Sequence, residues 1–205
     1  MNRLIQKVIK SITPPPRKQS ISVTEPAKLH LGSGPYRFDG WINIDIDSPK
    51  ADVRMDLREK LPFASGTARY VFAEHFIEHV TRSEAIALLK ECNRVLDERG
   101  IIRLSTPDLR KMVDLYLGGE LTYWKEVSWL PATPCQMVNE GMRSWGHQFV
   151  YDKDELCAVL IEAGLSAHRF VEWRHSEIPQ LRGLERRPFH SELIVEAARD
   201  QKSFE

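Results

Sequence analysis

Short β-strand patterns recur along the chain, and the first four end at a glycine or an acidic residue. Two amphipathic helices are predicted over Ser83–Leu96 and Asp152–Ala163. Strands that alternate with helices predict an α/β fold with a doubly wound, mostly parallel sheet. The seven strands predicted for this Rossmann-like sheet are Lys28–Leu31, Trp41–Ile46, Asp52–Met55, Tyr70–Ala73, Ile101–Ser105, Ala167–Val171 and Glu192–Ala197.

The length and the charge balance limit what the chain can do. Its 205 residues suit one domain, which we place at residues 27–200. The 29 basic and 29 acidic residues cancel, so no general field attracts nucleic acid, and no such partner is expected. Three widely spaced cysteines without a CxxC pair argue against disulfides and against a cysteine-ligated zinc. No apolar run reaches the length of a membrane span, so we expect a cytoplasmic protein.

Residues 1–26 form a separate basic segment. The pattern over residues 1–12 predicts a helix with one apolar face, and Pro14, Pro15 and Pro16 end it and open a proline-rich linker. This helix could bind a membrane surface or a partner, or it could dock on the protein's own sheet. We favour docking, because the chain before the second and third strands is too short for ordinary crossover helices.

Only residues 32–41 separate the first two strands, although parallel strands normally need a connection of about a dozen residues or more. The shortened first crossovers predict that one sheet face lacks its usual cover. A second irregular region, at about 108–150, contains Trp124, Trp129 and Trp145. It is an insertion that is either a lid over a binding site or a packed subdomain.

Residues at the carboxyl ends of the strands are the candidate ligand contacts. Gly32-Ser33-Gly34 can bring backbone N–H groups close to a ligand, although position 37 is Arg37, which argues against a dinucleotide fingerprint. Asp45 ends the second strand and could accept both hydroxyl groups of a ribose. Asp56 could accept from an adenine amino group while Leu57 packs against the ring.

The order of these motifs resembles class I S-adenosylmethionine-dependent methyltransferases, of the compact type 11-like subgroup. The resemblance covers about residues 27–110 and returns at residues 151–165. It implies S-adenosylmethionine as cofactor, with Gly32, Ser33, Gly34, Asp45, Asp56, Leu57 and Glu74 as binding residues. The sequence departs from the family at Tyr36, where the usual loop has a third glycine.

A methyltransferase of this kind implies a small-molecule or glycan-type acceptor. Compact relatives are associated with surface-polysaccharide pathways. Methyl transfer needs positioning, and a hydroxyl or amine acceptor can also need a general base. His147 is the first candidate for this catalytic role and His75 is the second. The tryptophans of the insertion would serve as stacking walls for an aromatic acceptor. Neither the acceptor nor the oligomeric state follows from the sequence.

Two other interpretations stay open. A methyltransferase-like domain without catalysis would serve as a binding or scaffold module. Alternatively, His75, Glu78 and His79 fit the H-x-x-E-H pattern of a zinc hydrolase, which needs a helix and a further ligand. Because the pattern begins directly after a strand, we expect no metal there.

Overall fold

A seven-stranded sheet forms the centre of the protein. The computed structural model describes residues 21–22, 26–122, 125, 129–187 and 192–205. In spatial order β3-β2-β1-β4-β5-β7-β6, all strands are parallel except β7, which runs antiparallel to both of its neighbours. This confirms the predicted fold class. The strands are β1 Ala27–Leu31, β2 Ile42–Asp45, β3 Val53–Arg54, β4 Ala68–Glu74, β5 Leu96–Pro107, β6 Ala167–Phe170 and β7 Glu192–Ala198.

Helix α1 (Arg82–Val95) and helix α4 (Lys153–Glu162) pack together on one face of the sheet. Thr81 accepts a hydrogen bond from the Glu84 backbone, and the Glu84 side chain accepts one from the Thr81 backbone. This reciprocal capping box fixes the start of α1 where the sequence predicts it. At the start of α4, the Asp152 side chain accepts a hydrogen bond from the Glu155 backbone. The main apolar core lies between these helices and the sheet.

The opposite face is covered without crossover helices. Phe38 and Trp41 from the β1–β2 connection pack there with Leu181 and Leu184 from the region after β6. As predicted, this face lacks its usual crossover helices in the part of the chain that the structure describes, and aromatic side chains and a late segment cover it instead. The predicted helix over residues 1–12 lies outside the described residues.

The Asn43 side chain holds the short β1–β2 connection in place. Its Oδ1 accepts from Phe38 N at 2.9 Å, and its Nδ2 donates to the carbonyl groups of Phe38 and Trp41. Nδ2 also lies 2.9 Å from Asp52 Oδ2, on the approach to β3. The buried Asn43 amide thus satisfies backbone groups of the connection, which in a crossover helix would bond to one another.

The insertion contains helices α2 (Leu109–Gly118) and α3 (Pro134–Arg143), which contact each other. Met112, Leu115, Met137 and Val150 form a small apolar cluster between them. The described part of the insertion is therefore packed and stands beside the carboxyl end of β5. Among the described residues, no helix is both long and apolar enough to cross a membrane.

Candidate active site

The parallel strands bring four groups of candidate residues to one edge of the sheet. Leu31 of β1 is in register with Ile44 of β2 and with Ala73 of β4, while Glu74 is in register with Ser105 of β5. The residues that follow these positions therefore meet at the carboxyl edge. In open α/β sheets this edge is where ligands bind.

The glycine loop has backbone conformations that favour glycine. Gly32 has φ 62° and Gly34 has φ 51°. A Cβ added at Gly32 would lie 2.6 Å from the Phe76 ring, whereas one added at Gly34 would meet no atom within 4 Å. Gly32 is therefore required by close packing. Gly34 has open space on the side where a Cβ would lie, while its N–H and C=O groups are bonded to Asp45 and Ser48.

Asp45 joins the glycine loop to the end of β2. Its Oδ2 accepts from Gly34 N at 2.8 Å, and its Oδ1 accepts from Asp47 N and Ser48 N at 2.9 Å each. Partial burial works against ionisation, but these three donors outweigh it and lower the pKa of Asp45. Asp45 is thus a fixed carboxylate: Oδ1 already accepts two hydrogen bonds, whereas Oδ2 accepts one and keeps a second lone-pair direction.

Two buried hydroxyl groups at this edge have no hydrogen-bond partner among the described residues. They belong to Ser33 in the glycine loop and to Ser105 in β5, which are 2% and 1% exposed. Unpaired buried hydroxyls indicate a site for a polar ligand. Together with the open space beside Gly34, they fit the polar cofactor that the sequence predicts.

Ile46 is a candidate contact that the sequence reasoning missed. It follows Asp45 directly and is 55% exposed, an apolar side chain beside a carboxylate at the ligand-binding edge. The sequence pattern predicts Ile46 as the last residue of the second strand, but β2 ends at Asp45. The signal available in the sequence was its position directly after the strand-end acid.

The structure places the predicted adenine contacts differently. Asp56 forms a two-point ion pair with Arg58, including Nη2 to Oδ2 at 2.5 Å. Leu57 is buried in the main core, so it is not a free platform for an aromatic ring. That assignment of Leu57 is wrong, because its side chain is needed beneath α1.

Glu74, the last residue of β4, is 6% exposed. Its Oε1 accepts hydrogen bonds from Arg186 N at 2.9 Å and Arg187 N at 2.8 Å. In the structure, this predicted cofactor contact anchors the segment that covers the second sheet face. A direct role in cofactor binding remains a prediction for Glu74.

His75 and Glu78 form a buried pair after β4. His75 has φ 51°, an uncommon conformation for a residue other than glycine, and its Nδ1 lies 2.9 Å from Glu78 Oε1. Thr106 donates to Glu78 Oε2 at 3.1 Å. Complete burial raises the pKa of Glu78, but His75 more than compensates and the net pKa is lowered.

Residues Ile77–His79 form a single 3₁₀ turn rather than an α-helix. His75 is bonded to Glu78 instead of facing the same side as His79. The helix that the H-x-x-E-H interpretation requires is therefore not present at these positions. This removes the geometric basis for a zinc hydrolase centred on His75, Glu78 and His79.

His147 arrives from the insertion and lies beside His79, with the ring centroids 5.0 Å apart. The preceding Trp145 has φ 58° and is 59% exposed, and its ring lies 5.2 Å from that of Trp129. His147 Nδ1 lies 2.8 Å from the Gly141 carbonyl oxygen, so Nδ1 carries the proton and Nε2 keeps its lone pair. Trp124 lies outside the described residues.

The comparisons agree with this geometry. Residues 43–104 match the family described as "Methyltransferase domain", from the second residue of β2 into β5. The sheet order places β7 antiparallel between β5 and β6. This is the class I methyltransferase fold. The comparison with curated proteins found no match.

Solved structures of methyltransferases have the same fold at low identity. A SAM-dependent methyltransferase from Thermotoga maritima has a TM-score of 0.53 and 16% identity, covering 87% of this chain and 84% of that chain. A SAM-dependent methyltransferase from Archaeoglobus fulgidus has a TM-score of 0.51 and 13% identity, covering 85% of this chain and 86% of that chain. PigF, solved with SAH, has a TM-score of 0.50 and 15% identity, covering 84% of this chain and 50% of that chain. Residues 43–104 are thus similar to a methyltransferase domain, and the fold is the one that SAM-dependent methyltransferases share, in agreement with the sequence resemblance.

Proposed function

We propose that the protein transfers a methyl group from S-adenosylmethionine to a hydroxyl or amine of a small-molecule or glycan-type acceptor. The observation that carries this proposal is the joined glycine loop and Asp45, with Gly34 N 2.8 Å from Asp45 Oδ2 at the carboxyl edge. Open space beside Gly34, next to a fixed carboxylate, suits a nucleoside that carries hydroxyl groups.

The binding roles follow from the side chains at this edge. Asp45 would accept from a ribose hydroxyl through the remaining lone pair of Oδ2, and Ile46 offers apolar surface for the base. The unpaired hydroxyls of Ser33 and Ser105 are available to the polar end of the cofactor. Asp56 would have to exchange its exposed Arg58 for an adenine amino group, which costs little because exposed ion pairs contribute about 0–1 kcal/mol.

When bound, S-adenosylmethionine supplies a methyl group on a positively charged sulfur. The protein's own work is to orient the acceptor, exclude water and accept the proton that the acceptor loses. The unprotonated Nε2 of His147 is suited to that last task, because the Gly141 carbonyl holds the proton on Nδ1. His75 is the weaker candidate, since its Nδ1 is already paired with Glu78.

The exposed ring of Trp145 supports an acceptor with a flat or sugar-like face. It lies 5.6 Å from the His147 ring, so a group stacked on Trp145 would be near the proposed base. Trp145 is also held at a positive φ, which is a strained conformation of the kind that clusters at functional sites.

Two measurements test the proposal. S-adenosylhomocysteine should raise the melting temperature and bind one per chain by calorimetry, since a ligand of the native state stabilises it. Labelled S-adenosylmethionine with a panel of sugars, glycans and aromatic amines should then give a methylated product. Trp145→Ala and His147→Ala should lower product formation while cofactor affinity stays unchanged.

The outcomes also separate the alternatives. Cofactor binding without transfer to any acceptor in the panel or in cell extract would favour the binding-module interpretation. If S-adenosylhomocysteine does not bind the folded protein, the proposed function is wrong.

A further inference from the structure

Glu78, His79 and His147 form a cluster that the cofactor site does not use. One potential ligand atom from each lies within 4.8 Å of the other two. Glu78 is fully buried, while the two histidines are half-buried, so the cluster is open on the side of the imidazoles. The sequence does not reveal it, because His147 is 68 residues from His79 and comes from the insertion.

The groups around the cluster fix the orientation of two of its members. The Gly141 carbonyl accepts the Nδ1 proton of His147, which directs the Nε2 lone pair away from the helix. Thr106 and His75 hold the two oxygens of Glu78, and each oxygen keeps a further lone pair. Hydrogen bonds of this kind from carbonyls and hydroxyls typically orient metal-binding histidines and carboxylates.

We propose that Glu78, His79 and His147 bind one Zn²⁺ ion. Two imidazoles and one carboxylate are a ligand set that zinc accepts, and three protein ligands leave a fourth position open. Zinc bonds of about 2.0–2.1 Å place tetrahedral ligand atoms roughly 3.3 Å apart. The distance between ligand atoms must therefore shorten by at most about 1.5 Å. The half-buried imidazoles can make this shift by side-chain rotation.

The electrostatics of the cluster favour an ion on balance. Glu78 brings a completely buried carboxylate whose negative charge would offset that of a cation, and each imidazole offers a ring-nitrogen lone pair. Arg187 acts against a cation at His79. It is partly exposed and screened by solvent, whereas Glu78 is completely buried beside the site.

A bound ion would have a consequence for the proposed methyl transfer, and this part rests on the proposed function. The single free lone pair of His147 cannot both hold Zn²⁺ and accept a proton. Zinc would therefore suppress the general-base role of His147, and the open coordination position would face the acceptor instead.

Titration of metal-free protein with Zn²⁺ tests the site without any turnover. Calorimetry should show one ion per chain, and Co²⁺ in its place should give the visible absorption of a four-coordinate site. His79→Ala and His147→Ala should each weaken Zn²⁺ binding by at least tenfold. His175→Ala is the matched control, because His175 is exposed and distant from the cluster in the chain, and it should leave the affinity unchanged.

Melting temperature and S-adenosylhomocysteine affinity are measured on the same metal-free variants to confirm that they fold. If a histidine-to-alanine variant does not fold, His147→Gln and the Co²⁺ spectrum of the wild type decide the question. Absence of Zn²⁺ binding, or binding that His79 and His147 substitutions leave unchanged, overturns the metal site. Because the cofactor is titrated separately, failure of cofactor binding would instead count against the proposed function.

Discussion

Replacement of Asp45 by alanine is the sharpest test of the proposed cofactor site. The carboxylate makes three hydrogen bonds to backbone N–H groups, one of which belongs to the glycine loop. Asp45→Ala therefore removes both the acceptor for the ribose and the connection between Gly34 and the end of β2.

The size of the effect can be worked out from these bonds. One charge-assisted hydrogen bond to a ligand contributes about 1.5–3 kcal/mol, so its loss weakens binding by about 10- to 150-fold. The three backbone donors also lose their acceptor. Because Asp45 is only partly buried, water replaces much of this interaction, and we expect the free energy of unfolding to fall by about 1–2 kcal/mol.

Calorimetric titration with S-adenosylhomocysteine measures the first effect, and urea unfolding measures the second. Asp47→Ala is the control, since Asp47 is exposed and carries the same charge two residues away. It should change affinity less than twofold and stability by no more than about 0.5 kcal/mol. Equal affinity in wild type and Asp45→Ala would refute the assignment of Asp45 to the cofactor site. If Asp47→Ala weakens binding as much as Asp45→Ala does, the effect is one of general charge and not of a contact made by Asp45.

Three further predictions concern stability and are checked by urea unfolding. Burial lowers the pKa of His30 from 6.5 to about 4, so the unfolded chain takes up the proton first as the pH falls. Between pH 7 and 5 the protein should lose about 2 kcal/mol, and His30→Asn should remove this loss. Gly32→Ala should destabilise more than Gly34→Ala, by about 1–3 kcal/mol, because only its Cβ would collide with Phe76. Arg103→Met should cost about 3–5 kcal/mol, since it leaves the buried Glu185 without its ion-pair partner and leaves Glu196 with Arg169 alone.

The sheet could be predicted because its signals are local. β1 and β2 are short apolar segments, and the strand-end positions of Gly32 and Asp45 follow from the strands themselves. The start of α1 is likewise indicated by a local pattern, because its capping residues Thr81 and Glu84 are three residues apart. These features depend on periodicity and on neighbouring side chains, which one sequence contains in full.

The cover of the second sheet face could not be predicted, because it depends on contacts between distant residues. Phe38 and Trp41 contact Leu181 and Leu184, which are about 140 residues away in the sequence. No residue spacing predicts that contact. The family resemblance predicts Glu74 as a cofactor contact. Its hydrogen bonds to the backbone of residues 186 and 187 could not be predicted, because no local pattern indicates them.

The position of β7 has a consequence for the newly made chain. β7 is the last strand in the sequence, yet it lies between β5 and β6 and is the strand to which β6 is paired. At about 5–20 residues per second, a ribosome needs roughly 5–20 s to pass from Arg103 to Glu196, one of its buried partners. During that interval the edge of β5 that pairs with β7 has no partner, and Arg103 cannot be buried against Glu196, so we expect docking of β7 to be a late step of folding.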